Sequence, residues 1–248
     1  MSALQVSKLS KHYGGLAALT DVNIETCKGE RRAIIGPNGA GKTTLLDVIT
    51  GKVTPTEGRV CLGGQDITAL PVHTRANLGL GYTFQHNNLF DSLTAWENVC
   101  LAVQHHHGFA RQLFQENVAN EAVTASVVRL LKLVGLAGVC KNVVRNLAYG
   151  QQRSLEVAMA LATEPQVLLL DEPTAGMSVA ETKEMVELIK TLPPSLTVVI
   201  VEHDMDVVFR VADRITVLHY GEVISEGTPH EVRADPTVRA NYLGTDKL

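Results

Sequence analysis

Hydrophobic positions change their period several times along this chain, and the changes mark out its parts. Leu4 to Leu9 and Leu19 to Ile24 alternate apolar and polar residues, the period of half-buried antiparallel strands. The run Ala33-Ile34-Ile35 has no polar face and predicts a strand buried on both sides. A helix over Lys42 to Ile49 follows and stops at Gly51, a residue suited to a helix C-terminus. Pro55 to Gly58 and Gly63-Gly64 predict turns around a short strand at Val60 to Leu62, and Gly79 to Phe84 predicts another strand. From about Thr94 to Thr163 the spacing becomes helical, with Val123, Val127, Leu130, Leu131 and Val134 on one face. Buried-strand runs return at Val167 to Leu170 and Thr197 to Val201, with a helix over Val179 to Thr191 between them. That alternation predicts βαβ units and a parallel sheet covered on both faces. Asp213 to Leu218 and Glu222 to Ser225, joined at Tyr220-Gly221, predict a closing hairpin. The fold class that follows is α/β: an N-terminal antiparallel β part, a mainly parallel sheet, and an inserted helical part.

Composition narrows the picture. The chain has 248 residues, 45% apolar content and a formal net charge of -4, which suits one large domain or a core with an inserted subdomain. Aromatics are 4% and no block of like charge stands out, so no nucleic-acid partner is expected. Cys27, Cys61, Cys100 and Cys140 avoid C-x-x-C spacing, which points to small apolar residues in a reducing compartment. The N-terminus lacks the apolar core of a signal peptide, and runs such as Val198 to Val201 fall far short of the roughly 18 residues of a membrane span. Any membrane role is therefore expected to come through a partner. The run His105-His106-His107 cannot aim three adjacent side chains at one ion and is expected to be a solvated helix end or loop.

Candidate chemistry begins at Gly36-Pro37-Asn38-Gly39-Ala40-Gly41-Lys42-Thr43, which fits G-x-x-x-x-G-K-[ST] between a predicted strand and helix. Glycines there let backbone N–H groups turn inward onto phosphate oxygens, and the helix N-terminus adds partial positive charge. Lys42 is expected to neutralise β- and γ-phosphates, and the Thr43 hydroxyl to bind Mg²⁺. Further on, Leu168-Leu169-Leu170-Asp171-Glu172-Pro173 is a buried strand ending in two carboxylates. Asp171 is expected in the Mg²⁺ shell, and Glu172 as the group that polarises the attacking water.

Leu147-Ala148-Tyr149-Gly150-Gln151-Gln152-Arg153 lies just before a helix expected from about Gln152 to Ala162. This segment resembles the Leu-Ser-Gly-Gly-Gln signature of the ATP-binding-cassette (ABC) ATPases, and the resemblance covers essentially the whole chain. It implies a P-loop, RecA-like core with an antiparallel β subdomain (about 1–32 and 58–82), a helical subdomain (about 92–163) and a C-terminal tail (about 227–248). It also implies ATP and Mg²⁺ as cofactors. ATP would be held by Tyr13, Gly36, Pro37, Asn38, Gly39, Ala40, Gly41, Lys42, Thr43 and Thr44 of one subunit and by Leu147, Ala148, Tyr149, Gly150 and Gln151 of a facing one. Tyr13 would stack on adenine; Thr43, Gln85 and Asp171 would hold Mg²⁺; and Glu172, His203, Gln85 and Lys42 would carry catalysis. The partners implied are a second ATP-binding subunit, identical or from a paired gene, integral membrane permease subunits and, indirectly, a periplasmic or lipid-anchored solute-binding protein. The location implied is the cytoplasmic face of the inner membrane.

Three positions depart from the family pattern. Ala148 replaces the signature serine and forfeits a hydroxyl, Tyr149 replaces a glycine, and Ser178 stands where the dimer-contact loop usually has Asp. The Gly150 backbone is expected to remain available to the facing nucleotide. The signature as written is similar to that of importers for branched-chain amino acids, urea and short amides. Phe84-Gln85-His86, Leu89-Phe90, Glu97-Asn98 and the tail from Gly227 to Gly244 are similar to the same subgroup. The sole tryptophan, Trp96, is expected either to pack within the helical insertion or to anchor the permease. A soluble ABC ATPase acting on DNA or ribosomes and the ATPase of a lipid or lipopolysaccharide exporter are the rival readings. The single cassette without a basic surface argues against the first, and the Tyr149-containing signature and tail argue against the second.

Overall fold

The computed structural model describes residues 2–83, 89–106 and 118–240. Two sheets organise it. The first is antiparallel, in the order β2 (Leu16–Cys27), β1 (Ser2–Tyr13), β4 (Glu57–Leu62), β5 (Gln65–Asp66). The second has six strands, in the order β10 (Glu222–Gly227), β9 (Arg214–His219), β3 (Arg31–Ile35), β8 (Thr197–Val201), β7 (Val167–Asp171), β6 (Leu80–Tyr82). All its pairings are parallel except the β9–β10 hairpin. Helices α1 (Lys42–Thr50), α2 (Val72–Asn77), α3 (Ala95–His106), α4 (Val118–Leu133), α5 (Tyr149–Leu161), α6 (Val179–Thr191), α7 (Met205–Val211), α8 (Pro229–Ala234) and α9 (Pro236–Val238) connect and cover them.

Alternation along the buried strands divides the core. Val167, Leu169, Val199 and Val201 point toward α1 and the antiparallel sheet, where Leu45, Leu46, Val48 and Ile49 fill the space between the two sheets. Leu168, Leu170, Val198 and Ile200 point the other way, onto α5, α6 and, through them, the helical insertion. A strand buried on both faces has no polar phase, which is why its sequence reads as a continuous apolar run.

The structure corrects several expected boundaries. Leu80–Tyr82 does not belong with the antiparallel strands of 58–82; it pairs in parallel with β7, Leu80 opposite Val167. Its three residues are too short to show a period, so sequence proximity to β5 misplaces it. Arg31 and Arg32 likewise lie in the parallel sheet, opposite Val198 and Val199. Strands β1 and β2 run to 12 residues each. Register shifts along their ladder, with Lys8 at φ 49° and Asp21 at φ 46°, break the alternation that would reveal this length. Helix α5 begins at Tyr149, three residues before the expected start at Gln152. His105 and His106 end α3, exposed, while His107 lies outside the described residues.

One buried cation fixes the helix on which the phosphate loop ends. Arg75 is 2% exposed. Its Nη1 donates to the Val48 and Ile49 carbonyls, both at 2.7 Å, its Nε to Leu70 O at 2.8 Å, and its Nη2 to Thr68 O at 2.7 Å. Carbonyls in the last turn of a helix lack an i+4 partner and carry partial negative charge (Val48 O accepts also from Gly51 N–H at 3.2 Å), so a planar, permanently charged donor fork suits them. Arg75→Met is expected to lower stability by about 3 kcal/mol or more, because it strips charged hydrogen bonds from buried carbonyls. Arg75→Lys, with one ammonium, should recover only part of that. Urea unfolding followed by circular dichroism measures both.

Candidate functional site

Strands β3, β8 and β7 lie side by side and end at the same edge of the sheet, where open α/β sheets bind ligands. The segment after β3 is the loop Gly36–Gly41. A Cβ on Gly36 would sit 2.2 Å from the Leu218 carbonyl, and one on Gly41, at φ 102°, 2.7 Å from the Ala18 carbonyl. The loop is thus wrapped so closely by β9 and β2 that only glycine fits at these positions. Gly41 caps α1, and no acidic side chain sits in the helix's first turn. The first helical hydrogen bond runs from Leu45 N–H to Gly41 O at 2.9 Å, so the amides of Lys42, Thr43 and Thr44 precede the helical ladder and are oriented for an anion.

Lys42 folds over the loop. Its Nζ donates to Gly36 O at 2.7 Å and Pro37 O at 3.0 Å, which places the cation inside the concavity. Burial draws its pKa down, and the Glu172 and Asp171 carboxylates oppose that shift. Asp171, at the end of β7, is 2% exposed and accepts from the Tyr82 hydroxyl at 3.3 Å. Burial raises the Asp171 carboxyl above the ordinary range, and repulsion from Glu172 adds to the shift against the hydrogen bond from Tyr82. Burial raises the Tyr82 hydroxyl too, which keeps it a donor. Lys52 lies 4.3 Å over the Tyr82 ring and 3.4 Å from Asp47 Oδ1, and it lowers the cost of the buried Asp171 charge.

Glu172 is one residue beyond the strand, at φ 45°, a left-handed conformation that glutamate adopts at a cost. Two bonds hold it there: its N–H donates to Val201 O at 2.9 Å, and its carbonyl accepts from Arg153 Nη2 at 3.0 Å. Arg153, 3% exposed, also pairs through Nη1 with Glu156 Oε2 at 2.8 Å. His203 Nδ1 lies 3.9 Å from Glu172 Oε1 and 3.6 Å from Glu202 Oε2. Glu202 is fully buried and ties the site's loops together. It accepts from the Thr174 hydroxyl and from Thr174 N–H at 3.2 Å, His203 N–H at 2.8 Å and Asp204 N–H at 3.3 Å. A carboxylate receiving this many donors is satisfied without a cation beside it.

Most of the residues singled out from the sequence converge. A cavity of about 530 Å³ is lined by Tyr13, the 38–44 segment and Glu172. His203 and Asp171 adjoin it through Glu172. Gln85 lies outside the described residues. The 147–151 segment does not line this cavity. It forms the start of α5, with Ala148 as its N-cap and Leu147 buried. Ala148 has no side-chain acceptor, so only one half of a reciprocal cap exists, its N–H donating to Gln151 Oε1 at 3.1 Å. The expectation that the Gly150 amide is available needs correction: it donates to Glu181 Oε1 at 2.9 Å. Glu181 Oε2 in turn accepts from Ser178 N–H at 2.9 Å and Oγ at 2.7 Å. One carboxylate therefore binds the starts of both α5 and α6, with Ser178 as the N-cap of α6. Glu181, Glu202, Arg153 and Tyr82 were not singled out from the sequence. No local motif signals what Tyr82, Arg153 and Glu202 hold, whereas Ser178-Val179-Ala180-Glu181 is a capping-box pattern that could have pointed to Glu181.

The donor set fits a magnesium-bound nucleoside triphosphate. The loop that a Cβ would fill, the oriented amides and Lys42 match an anion chain, while the Thr43 hydroxyl and Asp171 carboxylate are the hard oxygen ligands Mg²⁺ takes. Fold and site together define a P-loop nucleotide-binding protein. The chain belongs to the ABC transporter family: residues 19–175 match the ABC transporter family, and residues 222–247 match the branched-chain amino acid ATP-binding cassette transporter family. It is 39% identical over 249 residues to the high-affinity branched-chain amino acid transport ATP-binding protein LivG of Escherichia coli (strain K12), covering 97% of each chain. It superposes with a TM-score of 0.86 and 29% identity on MJ1267, an ATP-binding cassette of an ABC transporter, covering 98% of this chain and 100% of that one. A dimeric, post-hydrolysis structure of the cassette MJ0796 bound to ADP and Pi matches with a TM-score of 0.77 and 29% identity, covering 91% and 98%. The chain is a transport ATPase cassette with a P-loop ABC fold. Among the described residues no helix is long and apolar enough to cross a membrane.

Asp171 should be costly to stability. Its raised pKa means that the folded state prefers the neutral acid, so stability is full below the ordinary carboxylate pKa and falls as pH rises through the raised value. Asp171→Asn is expected to raise the Tm by a few degrees at neutral pH, with the difference vanishing toward acid pH. Calorimetry across pH checks the sign.

Proposed function

We propose that this chain is the ATP-hydrolysing subunit of an importer of branched-chain amino acids, acting as a pair that closes head to tail over two ATP molecules. The observation that carries hydrolysis is the placement of Glu172. A carboxylate is held at a strained backbone position by Val201 and Arg153, on the wall of the same cavity as the Gly39–Thr44 amides. Lys42 and the amides hold the β- and γ-phosphates, and Glu172 accepts a proton from the attacking water as it approaches the γ-phosphorus. His203, steered by Glu202, lies beside Glu172 and donates to the γ-phosphate or orients that water. Thr43 and Asp171 and, by resemblance, Gln85 would hold Mg²⁺, which would supply neutralisation of phosphate charge.

Several observations support the remaining parts. The dimeric MJ0796 structure bound to ADP and Pi supports pairing. In a pair, Leu147, Ala148, Tyr149, Gly150 and Gln151 of one chain face the nucleotide of the other. Because Gly150 N–H is held by Glu181, closure either exchanges that bond for a phosphate oxygen or uses neighbouring amides of α5. The tail match and the LivG likeness support amino acids rather than urea or amides as the solute class. A second cavity, of about 260 Å³, supports the permease contact. It is strongly apolar and is lined by Val72, Leu80, Leu89, Ala102, Met159 and Thr163, among others. It carries no phosphate-binding group, so its occupant is an apolar protein segment rather than nucleotide. Membrane attachment at the cytoplasmic face follows from that contact.

Glu172→Gln tests this reading. It should leave ATP affinity within about twofold and cut turnover by about 100-fold or more, the scale of a lost general base. Wild-type turnover would remove Glu172 from the chemistry. Lys42→Ala should abolish measurable ATP binding in equilibrium titration, and unchanged affinity would contradict the phosphate-loop assignment.

A further inference from the structure

The mouth of the phosphate-loop cavity carries a second tyrosine besides Tyr13. Tyr220 is the first residue of the two-residue loop between β9 and β10, with His219 paired to Glu222 across it. Its φ is 47° and that of Gly221 is 81°. Two positive angles define a type I′ turn, whose first position favours Asn and strains a bulky side chain. Burial does not offset the strain, because the residue is 81% exposed. Strained residues persist where their position serves a function.

The turn is fixed to the nucleotide site. Gly221 N–H donates to Ala40 O at 3.0 Å, inside the phosphate loop, and Gly221 O accepts from Thr20 N–H at 2.9 Å. The His219 ring meets the Tyr220 ring edge-on, with centroids 4.3 Å apart. Tyr13, Leu16 and Tyr220 are 48%, 66% and 81% exposed, and all three line the cavity that holds Gly39 to Thr44. Large apolar side chains collected around one cavity mouth mark a surface that a ligand covers. The phosphate-binding end of this cavity already specifies a nucleotide, and the part of a nucleotide that suits aromatic and aliphatic walls is its planar base.

We propose that Tyr220 is a second base-contacting residue, forming with Tyr13 an aromatic rim on two separate hairpins that takes the purine of a bound nucleotide. This rests on the ATP reading above. Tying the turn to Ala40 makes the base contact and the phosphate loop one rigid unit, so a bound base and its phosphates register against each other. The turn strain is the cost of placing a π face where asparagine would fold more easily.

The test compares Mg-ATP with Mg-tripolyphosphate, which has the phosphates but no base, by calorimetric titration of the full chain. Tyr220→Asn suits a type I′ turn better than tyrosine and should not unfold the protein, which its Tm confirms. It is expected to weaken ATP binding about fivefold, the low end for loss of one base stack, while leaving tripolyphosphate affinity unchanged. Tyr220→Phe should restore ATP affinity. Wild-type ATP affinity in Tyr220→Asn overturns the proposal, as does an equal loss for both ligands. Intact ATP affinity with weakened ATP-driven self-association also overturns it, by assigning the ring to a facing chain. If Tyr13→Ala discriminates ATP from tripolyphosphate less than wild type and Tyr220→Asn does not, the base site stands without Tyr220. A wild-type chain that binds ATP no tighter than tripolyphosphate overturns the nucleotide reading and this inference together.

Discussion

The amides at the start of α1 are the constraint on which the rest of this structure depends. A helix N-terminus can hold an anion only if its first N–H groups stay unpaired and correctly aimed, and here that aim is set from outside the helix. The Leu218 and Ala18 carbonyls press on Gly36 and Gly41 from one side. Gly221 N–H holds Ala40 O, and Arg75 gathers the carbonyls at the other end of α1. The apolar filling of α1 between two sheets then leaves the helix little freedom to turn. The phosphate loop is therefore a local motif held in shape by residues up to the far end of the fold.

Buried polar partners give the catalytic edge the same precision. Glu172 would relax toward ordinary backbone angles without Arg153 and Val201. Glu202 makes Thr174, His203 and Asp204 converge on one carboxylate, so the segments after β7 and β8 move as a unit. Glu181 does the same for the starts of α5 and α6. A buried ion pair such as Arg153–Glu156 contributes little net stability, since desolvation cancels most of the attraction. Its consequence is positional: Glu156 lines the apolar groove while Arg153 grips the Glu172 carbonyl.

The strand and helix types were legible because their signals are local. Val167–Asp171, Val179–Thr191 and Thr197–Val201 announce themselves by apolar runs and by helical spacing. The phosphate loop and the two carboxylates were legible for a similar reason, as short motifs tied to strand ends. The placement of Leu80–Tyr82 was not, because sheet order is decided by long-range pairing that three residues cannot encode. The lengths of β1 and β2 were hidden by bulges that reset the alternation. Glu202 and Arg153 escaped notice because a charged residue looks like surface until burial and partners are known; Glu181 belongs to a Ser178-x-x-Glu181 capping-box pattern, which marks the start of α6 but not the reach to Gly150. Gly150 was misread because its partner lies 31 residues away.

Two features lie apart in this chain: a cradle with its carboxylates at one edge of the sheet, and the start of α5, which does not line that cradle. Under the proposed function, a chain so built completes the site by meeting a second chain, as the dimeric MJ0796 cassette supports. The most direct measurement is specific ATPase activity across a wide range of protein concentration at saturating Mg-ATP, with the mass of the species followed by sedimentation. The account predicts that activity per chain rises with concentration and levels off as dimer forms. Full activity per chain at concentrations where sedimentation shows only monomer would contradict it.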